Sequence, residues 1–529
     1  MVTEKLYLRQ NVLVEPLFNQ WYAWAYLISP ATSAMYISNL HLKIMRSFVA
    51  NPQIHISALK NPAMIGGPFI NYDLSRLSEV QELIEETEKD QTHMIEFAQD
   101  VNALNEILRN EAKGYSLQPL YQQIPENLKG YVEIVYDLNN NPLIRFLEGL
   151  LYKSKYYNET SQSLLLSTIN QDSRSFALSN PKLKENDSLH IKIPFKDERI
   201  DELFKTRYVP QPLSYIKEML EVKDKNSDLL LSFFTDEKLD KYPKYDGDAV
   251  RIRYFGHACI LIETEKISIL CDPAISYKYK SEIYRYTIAD IPESIDYVLL
   301  THNHQDHVIL ESLLMLRHKI KNLIVPKSGG GALQDPSMKL MLESIGFKNV
   351  REIDEMEEIK IDDGTITGLP FFGEHADLDI RAKIAHLIRI KEKSILCAAD
   401  SNNLEPKLYQ YVHNLVGDLD VLFIGMECDG GPLTWLYGPL LPKLLPRKMD
   451  QSRRFDGSNY EKAINIVEQL HPKEVYVYAM GHEPWFTYMT SIVYTEESRP
   501  IVESNKLVED CRGRGLKSER LFAHKEIFL

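Results

Sequence analysis

The stretch DYVLLTHNHQDHVILESLLMLRHK (296–319) decides how the rest of the chain is read. Its opening DYVLL predicts a short buried strand, and HVILESLLMLRHK spaces its apolar residues as a helix does. Between them, Thr301-His-Asn-His-Gln-Asp-His307 sets three imidazoles and a carboxylate within residues 302–307. In extended backbone His302 and His304 share one face, because side chains alternate with a period of two. Asp306 and His307 follow where the helical pattern begins. Neutral imidazole and carboxylate are the usual donors to Zn²⁺ and non-haem iron. His302, His304, Asp306 and His307 are therefore read as metal ligands rather than as a His-rich solvated loop.

Working outward, short apolar runs flank this motif on both sides. VRIRYFGHACILIE (250–263) and KISILCDPAI (266–275) predict a hairpin opening a sheet. NLIVPKS (322–328), TITGLPFFGEH (365–375), SILCAAD (394–400), DVLFIGMECD (420–429) and EVYVYAMGHE (474–483) continue the pattern, often alternating with helical segments. This predicts a layered α/β sandwich. Asp400, His482 and the pair Glu374–His375 each end such a run, at the edge where α/β proteins place their sites. Alone, each reads as a cap or a satisfied polar group. With the 302–307 cluster they complete a two-metal site.

The whole chain has 529 residues, enough for two to four domains. Its 61 Lys and Arg against 75 Asp and Glu leave a net charge of −14, which argues against nucleic acid or an anionic membrane as partner. Five cysteines without CxxC spacing, and no apolar run of membrane-spanning length, predict a cytoplasmic protein with reduced thiols. Residues 1–245 read as a mixed α/β domain without a chemical motif, with helices expected in 75–112 and 212–226. Trp21, Tyr22, Trp24 and Tyr26 read as core, with a partner contact as the alternative. The charged stretch TDEKLDKYPKYDGDA (235–249) marks the boundary to a catalytic domain at 246–529.

On these motifs residues 250–490 resemble the metallo-β-lactamase superfamily. The resemblance implies an αββα sandwich, with His302 and His304 on a first metal, Asp306, His307 and His482 on a second, and Asp400 bridging. One departure stands out. Zinc hydrolases of the superfamily generally follow the glycine at this point with a histidine, whereas Gly373 is followed by Glu374 and then His375. A third carboxylate favours oxidised iron over Lewis-acidic zinc. With the long N-terminal half, this resembles the diiron β-hydroxylases of nonribosomal peptide and antibiotic biosynthesis, the chloramphenicol-type amino-acid hydroxylases.

That resemblance implies a monooxygenase with two non-haem Fe ions, O₂ as co-substrate, and Glu374 and Asp400 as catalytic carboxylates. Its substrate would be an aminoacyl thioester on a peptide-synthetase carrier domain. Electrons would come from a separate reductase, because no flavin or NAD glycine motif is visible. The N-terminal domain would form a homodimer contact and cover the site. The competing reading is a dinuclear zinc hydrolase of thioesterase, phosphodiesterase or lactonase type, in which His375 would replace Glu374 on the metal. Lys443, Arg447, Lys448, Arg453 and Arg454 read as a solvated face or as a docking patch for an acidic carrier. Two aromatic loops, 276–286 and 430–442, are candidate channel walls.

Overall fold

The computed structural model describes residues 5–239 and 242–529. Two seven-stranded sheets face each other in the second half of the chain. In the first, strands run in the order 350–353, 320–326, 295–299, 268–271, 260–263, 251–254 and 525–528. In the second the order is 358–361, 364–369, 385–390, 393–397, 421–425, 474–478 and 517–520.

Period-two alternation explains why these segments stack. Ile260, Ile262, Ile269 and Cys271 point between the sheets and meet Ile388, Ile395, Val421 and Phe423. The alternate residues Leu387, Leu396 and Leu422 face outward, under helices Lys407–Val416, Tyr460–Leu470 and Arg499–Gly513. Leu261 and Leu270 face the other way, into a core shared with helix Leu310–Leu316 and the N-terminal half. Each fully buried Leu or Ile of this kind contributes about 1.5–3 kcal/mol. The layers are therefore αββα.

The opening of the sandwich differs from the single hairpin expected. Residues 250–263 fold into two strands, Arg251–Tyr254 and Ile260–Glu263, and Ser268–Cys271 adds a third antiparallel strand. Gly256 at φ 106° and His257 at φ 50° reverse the chain between the first two. A run that reads as one β segment thus hides a turn, and that turn carries a histidine to the site. The helix expected over 75–112 is likewise two helices, Leu77–Asp90 and Thr92–Glu111, parted at Gln91.

The N-terminal half holds a four-stranded antiparallel sheet ordered 21–22, 12–18, 162–168 and 189–192. Trp21, Tyr22, Trp24 and Tyr26 are all buried. Tyr22 and Tyr26 reach the second half of the chain, Tyr22 Oη donating to Glu311 Oε2 at 3.1 Å and Tyr26 Oη to the Gln334 carbonyl at 2.6 Å, whereas Trp21 stacks on His41 within the N-terminal half. Arg174 reaches Glu15 and Glu311, each at 2.8 Å, and so ties the N-terminal sheet to the helix that follows the 302–307 motif. All five cysteines are free and buried. Among the described residues no helix is long and apolar enough to cross a membrane.

Candidate metal centre

The loops that leave the C-terminal ends of central strands converge at one edge of the sandwich, as open α/β sheets dispose their sites. Strand Ile295–Leu299 delivers residues 300–307, and strand Lys393–Cys397 delivers Asp400. Several of these loops hold non-glycine residues in left-handed backbone: His257 (φ 50°), Asp272 (37°), Glu374 (69°) and Ala399 (48°). Such conformations persist only where surrounding contacts impose them, and they cluster at functional sites. Close approach adds a second constraint. A Cβ on Gly425 would lie 2.6 Å from Asp400 Oδ1, so the strand carrying it accepts only glycine beside this carboxylate.

Three overlapping clusters of donor atoms result. His302, His304 and Glu374 form one, His302, His307 and Asp400 a second, and His257, Asp306 and His307 a third. Glu374 Oε1 lies 2.6 Å from His304 Nδ1, and Glu374 Oε2 is 3.7 Å from His302 Nε2. Asp400 Oδ2 is 3.0 Å from His307 Nε2 and 3.6 Å from His302 Nε2. Asp306 Oδ2 is 3.4 Å from His257 Nε2. The rest of each ring is held from behind. His307 Nδ1 is 2.8 Å from Asp272 Oδ2, Thr301 Oγ1 is 3.1 Å from His302 Nδ1, and Tyr437 Oη is 3.1 Å from His304 Nε2. A carboxylate behind a metal-binding imidazole fixes its orientation and tautomer.

The electrostatics fit cations. Burial and the neighbouring imidazoles push His302 well below its ordinary pKa, so its lone pair is free. Burial pushes the Glu374 carboxyl up, but His304 and His375 outweigh it and hold it at about 2. Burial, then the charges of Asp400, Asp306 and Glu374, drive Glu427 well above the carboxylate range. Four acidic groups around one cavity repel one another unless positive charge lies between them. Moreover, His302 Nε2 and Asp400 Oδ1 are buried with no hydrogen-bond partner among the described residues, an expensive condition for polar atoms. Two cations answer both demands, and the residues present fit a dinuclear centre.

Six of the seven ligands expected from sequence come together here: His302, His304, Asp306, His307, Glu374 and Asp400. His482 stands apart from these clusters. After strand Glu474–Tyr478 the chain turns at Gly481 (φ 65°), and the His482 ring stacks on Phe522 at 4.9 Å. The imidazole beside Asp306 and His307 is instead His257. His375 stacks on His304 at 4.4 Å with Nδ1 2.9 Å from Glu374 Oε2, so it supports the carboxylate without joining the donor clusters.

A cavity of about 820 Å³ opens onto the site, and His304, Asp306, Glu374, Asp400 and Glu427 line it. Trp435 and Phe455 form part of its wall, as does the N-terminal segment 64–69. Segment 430–442, expected as a loop, is largely helical (Leu433–Tyr437, then a 3-10 turn Gly438–Leu440) and forms a wall packed against the N-terminal half, where Asn39 Nδ2 donates to the Pro439 carbonyl at 2.9 Å. Loop 276–286 lies elsewhere: Tyr277 Oη donates to Glu311 Oε1 at 2.8 Å, and Tyr277 and Tyr279 line a separate small cavity.

Comparison with known proteins agrees with this geometry. Residues 7–238 match the diiron non-heme beta-hydroxylase N-terminal domain, and residues 251–427 match the beta-lactamase superfamily domain. The chain is 36% identical, over 99% of both proteins, to the 4-amino-L-phenylalanyl-[CmlP-peptidyl-carrier-protein] 3-hydroxylase of Streptomyces venezuelae. The crystal structure of CmlA, a diiron beta-hydroxylase from that organism, superposes with a TM-score of 0.93 over the whole of both chains at 36% identity. A mutant of the CmlA beta-hydroxylase gives 0.90 at the same identity, covering 99% of this chain and all of that one. With a metallo-β-lactamase sandwich, a CmlA-type N-terminal domain and a carboxylate-rich dinuclear site in one molecule, the chain belongs to the diiron non-haem β-hydroxylase family of oxygenases.

Proposed function

We propose that this enzyme hydroxylates Cβ of an amino acid held as a thioester on a peptidyl carrier domain, using O₂ and an external reductant. The observation that carries this reading is Glu374, not His375, facing His304 at 2.6 Å and His302 at 3.7 Å. Hard oxygen donors of this kind suit iron, where a third imidazole would suit zinc. Two irons held by His302, His304 and Glu374 on one side and Asp306, His307 and His257 on the other, with Asp400 between, would supply the oxygen activation.

The protein's own part is positioning and exclusion. Asp272 and Thr301 hold the imidazoles, and Tyr437 orients His304. Trp435 and Phe455 shield one side of the cavity, and Trp435 Nε1 donates to the Gly66 carbonyl at 2.9 Å, closing the wall across the two halves of the chain. A cavity open on one side suits a substrate delivered on a tether. Glu427 lines it beside Asp400 and is placed to contact the polar groups of that substrate.

Carrier docking is assigned to the basic run 443–454. Lys443, Arg447 and Lys448 are exposed, and Arg454 lines the cavity. Arg453 has a structural task, donating from Nε to the Ala376 carbonyl at 3.0 Å and bracing the Glu374 loop. A homodimer through the N-terminal half, where Leu138 and Leu143 are exposed on the 132–146 hairpin, completes the proposal.

The test is elemental analysis of protein grown with iron, followed by single turnover of the reduced enzyme with aminoacyl carrier proteins under ¹⁸O₂. About two irons per chain and label at Cβ are the expected result. Two zincs, or release of free amino acid without label, would favour a hydrolase.

A further inference from the structure

A fourth donor cluster lies outside the site described above, at the C-terminal ends of two helices that back the second sheet. Its residues are His413, Asp418 and His471. Asp418 Oδ1 is 2.8 Å from His413 Nε2 and 3.1 Å from His471 Nδ1, and the two rings meet edge to face at 4.9 Å. A tetrahedral ion with bonds of about 2.0–2.1 Å holds its ligand atoms about 3.3 Å apart. Asp418 is thus already near chelating spacing from both imidazoles, and the three donor atoms lie within 4.8 Å of one another.

The frame behind them is rigid. His413 lies in the last turn of helix Lys407–Val416, which ends at Gly417. His471 caps helix Tyr460–Leu470 in left-handed conformation. The residues next to Asp418 and His471 are bonded directly, Leu419 N donating to the Leu470 carbonyl at 3.2 Å. Below them Val412 and Val416 pack with Ile464, Val467 and Leu470. Lys473 is drawn to Asp420 at 2.7 Å, which leaves Asp418 to the imidazoles. Both helices also direct their C-terminal carbonyl ends here, where positive charge is favoured.

We propose that His413, Asp418 and His471 form a peripheral site for one divalent transition-metal ion of the zinc and copper class, clamping the ends of these two helices. Two imidazoles and one carboxylate rank Fe²⁺ below Zn²⁺ and Cu²⁺, so the ion differs from those of the catalytic centre. Its exposed side keeps water as the remaining ligand. The ion joins the two helices behind the strands that lead to Asp400 and Glu427, and its role is structural.

The experiment uses the full-length enzyme with its iron centre loaded. Equilibrium dialysis against Zn²⁺ should give one further metal per chain, and the thermal midpoint should rise by a few degrees. The double variant His413→Gln, His471→Gln and the single variant Asp418→Asn should each bind this Zn²⁺ at least about tenfold more weakly, with iron content unchanged. Cu²⁺ added to the wild type should give an EPR signal with superhyperfine splitting from two nitrogens. No metal beyond two per chain at 100 μM Zn²⁺ (about the top of the range tested), equal uptake by the double variant, or a copper signal without nitrogen would overturn the assignment. The bare hydrogen-bonded cluster would then be a helix-end tie only.

Discussion

His307 sits between two carboxylates: Asp272 Oδ2 is 2.8 Å from Nδ1, and Asp400 Oδ2 is 3.0 Å from Nε2. Asp272 also accepts from Thr301 Oγ1 at 2.6 Å and from Thr301 N at 2.8 Å, so one buried group anchors both the ring and the loop that carries it. Asp272→Asn keeps the shape but leaves the Thr301 bonds and the imidazole tautomer in conflict. Removing such a supporting carboxylate typically weakens metal binding by about 10–100-fold. Iron titration against a competing chelator should show that loss with the circular dichroism unchanged. Wild-type affinity would mean that the ring is held by its packing alone.

Glu374 is the next residue to change. In the Glu374→His variant a soft, neutral donor replaces an oxyanion that is held ionised beside His304. Zinc should displace iron in protein grown with both metals, and hydroxylation should be lost. Elemental analysis paired with a turnover assay reads this directly. Hydroxylation at an undiminished rate would remove Glu374 from the role given to it.

How far the sequence discloses this site depends on how local each candidate ligand is. His302, His304, Asp306 and His307 announce themselves because four donors fall within six residues, 302–307. Asp400 and Glu374 are legible because each ends a strand-like run. His257 is not, since FGHACI reads as strand interior until Gly256 and His257 are seen to reverse the chain. His482 shows the opposite case: it ends a strand at the right edge, but the turn at Gly481 sends its ring onto Phe522. Glu427 was hidden by position alone, two residues past strand Val421–Gly425, in a sequence with 75 acidic residues. The layered fold was readable from alternating apolar residues. The packing of Tyr22 and Tyr26 against the catalytic half was not, because burial does not reveal which neighbour does the burying.

His257 and His482 therefore make a discriminating pair. His257 Nε2 is 3.4 Å from Asp306 Oδ2, and both of its ring nitrogens are buried without hydrogen-bond partners among the described residues. His257→Ala should empty one of the two metal positions, giving about one iron per chain by elemental analysis. His482→Ala should keep both. The reverse result would return His482 to the second metal and make His257 a packing residue.

A pH effect is expected at Glu148. Glu148 accepts from Ser337 N at 2.9 Å, and burial pushes its carboxyl up to about 7 from an ordinary 4.5. The folded state therefore holds a proton that the unfolded chain releases. The stabilising contribution is complete below pH 4.5 and is lost as pH rises through about 7. Glu148→Gln mimics the protonated form. Its urea midpoint should match the wild type at pH 5 and exceed it at pH 8, values about either side of the transition. Parallel pH profiles for the two proteins would show that Glu148 titrates normally.

Arg174 tests how the two halves of the chain are joined. Its guanidinium pairs with Glu15 and Glu311 at 2.8 Å and lies 3.5 Å over the Tyr488 ring. The Glu311 carboxylate also accepts from Tyr22 and Tyr277, and Glu15 has Lys182 at 2.7 Å. Arg174→Met removes the shared cation and leaves Glu311, 3% exposed, with hydroxyl donors only. Breaking a buried pair in this way costs about 3–5 kcal/mol, because the remaining charge stays desolvated. Chemical denaturation should show a loss of that size. Adding Glu311→Gln to Arg174→Met should recover much of it, since the stranded charge is then gone while the tyrosine hydroxyls keep an acceptor. If the double variant is as unstable as the single one, the cost lies in lost packing over Tyr488 and not in the charge left behind on the helix that follows His307.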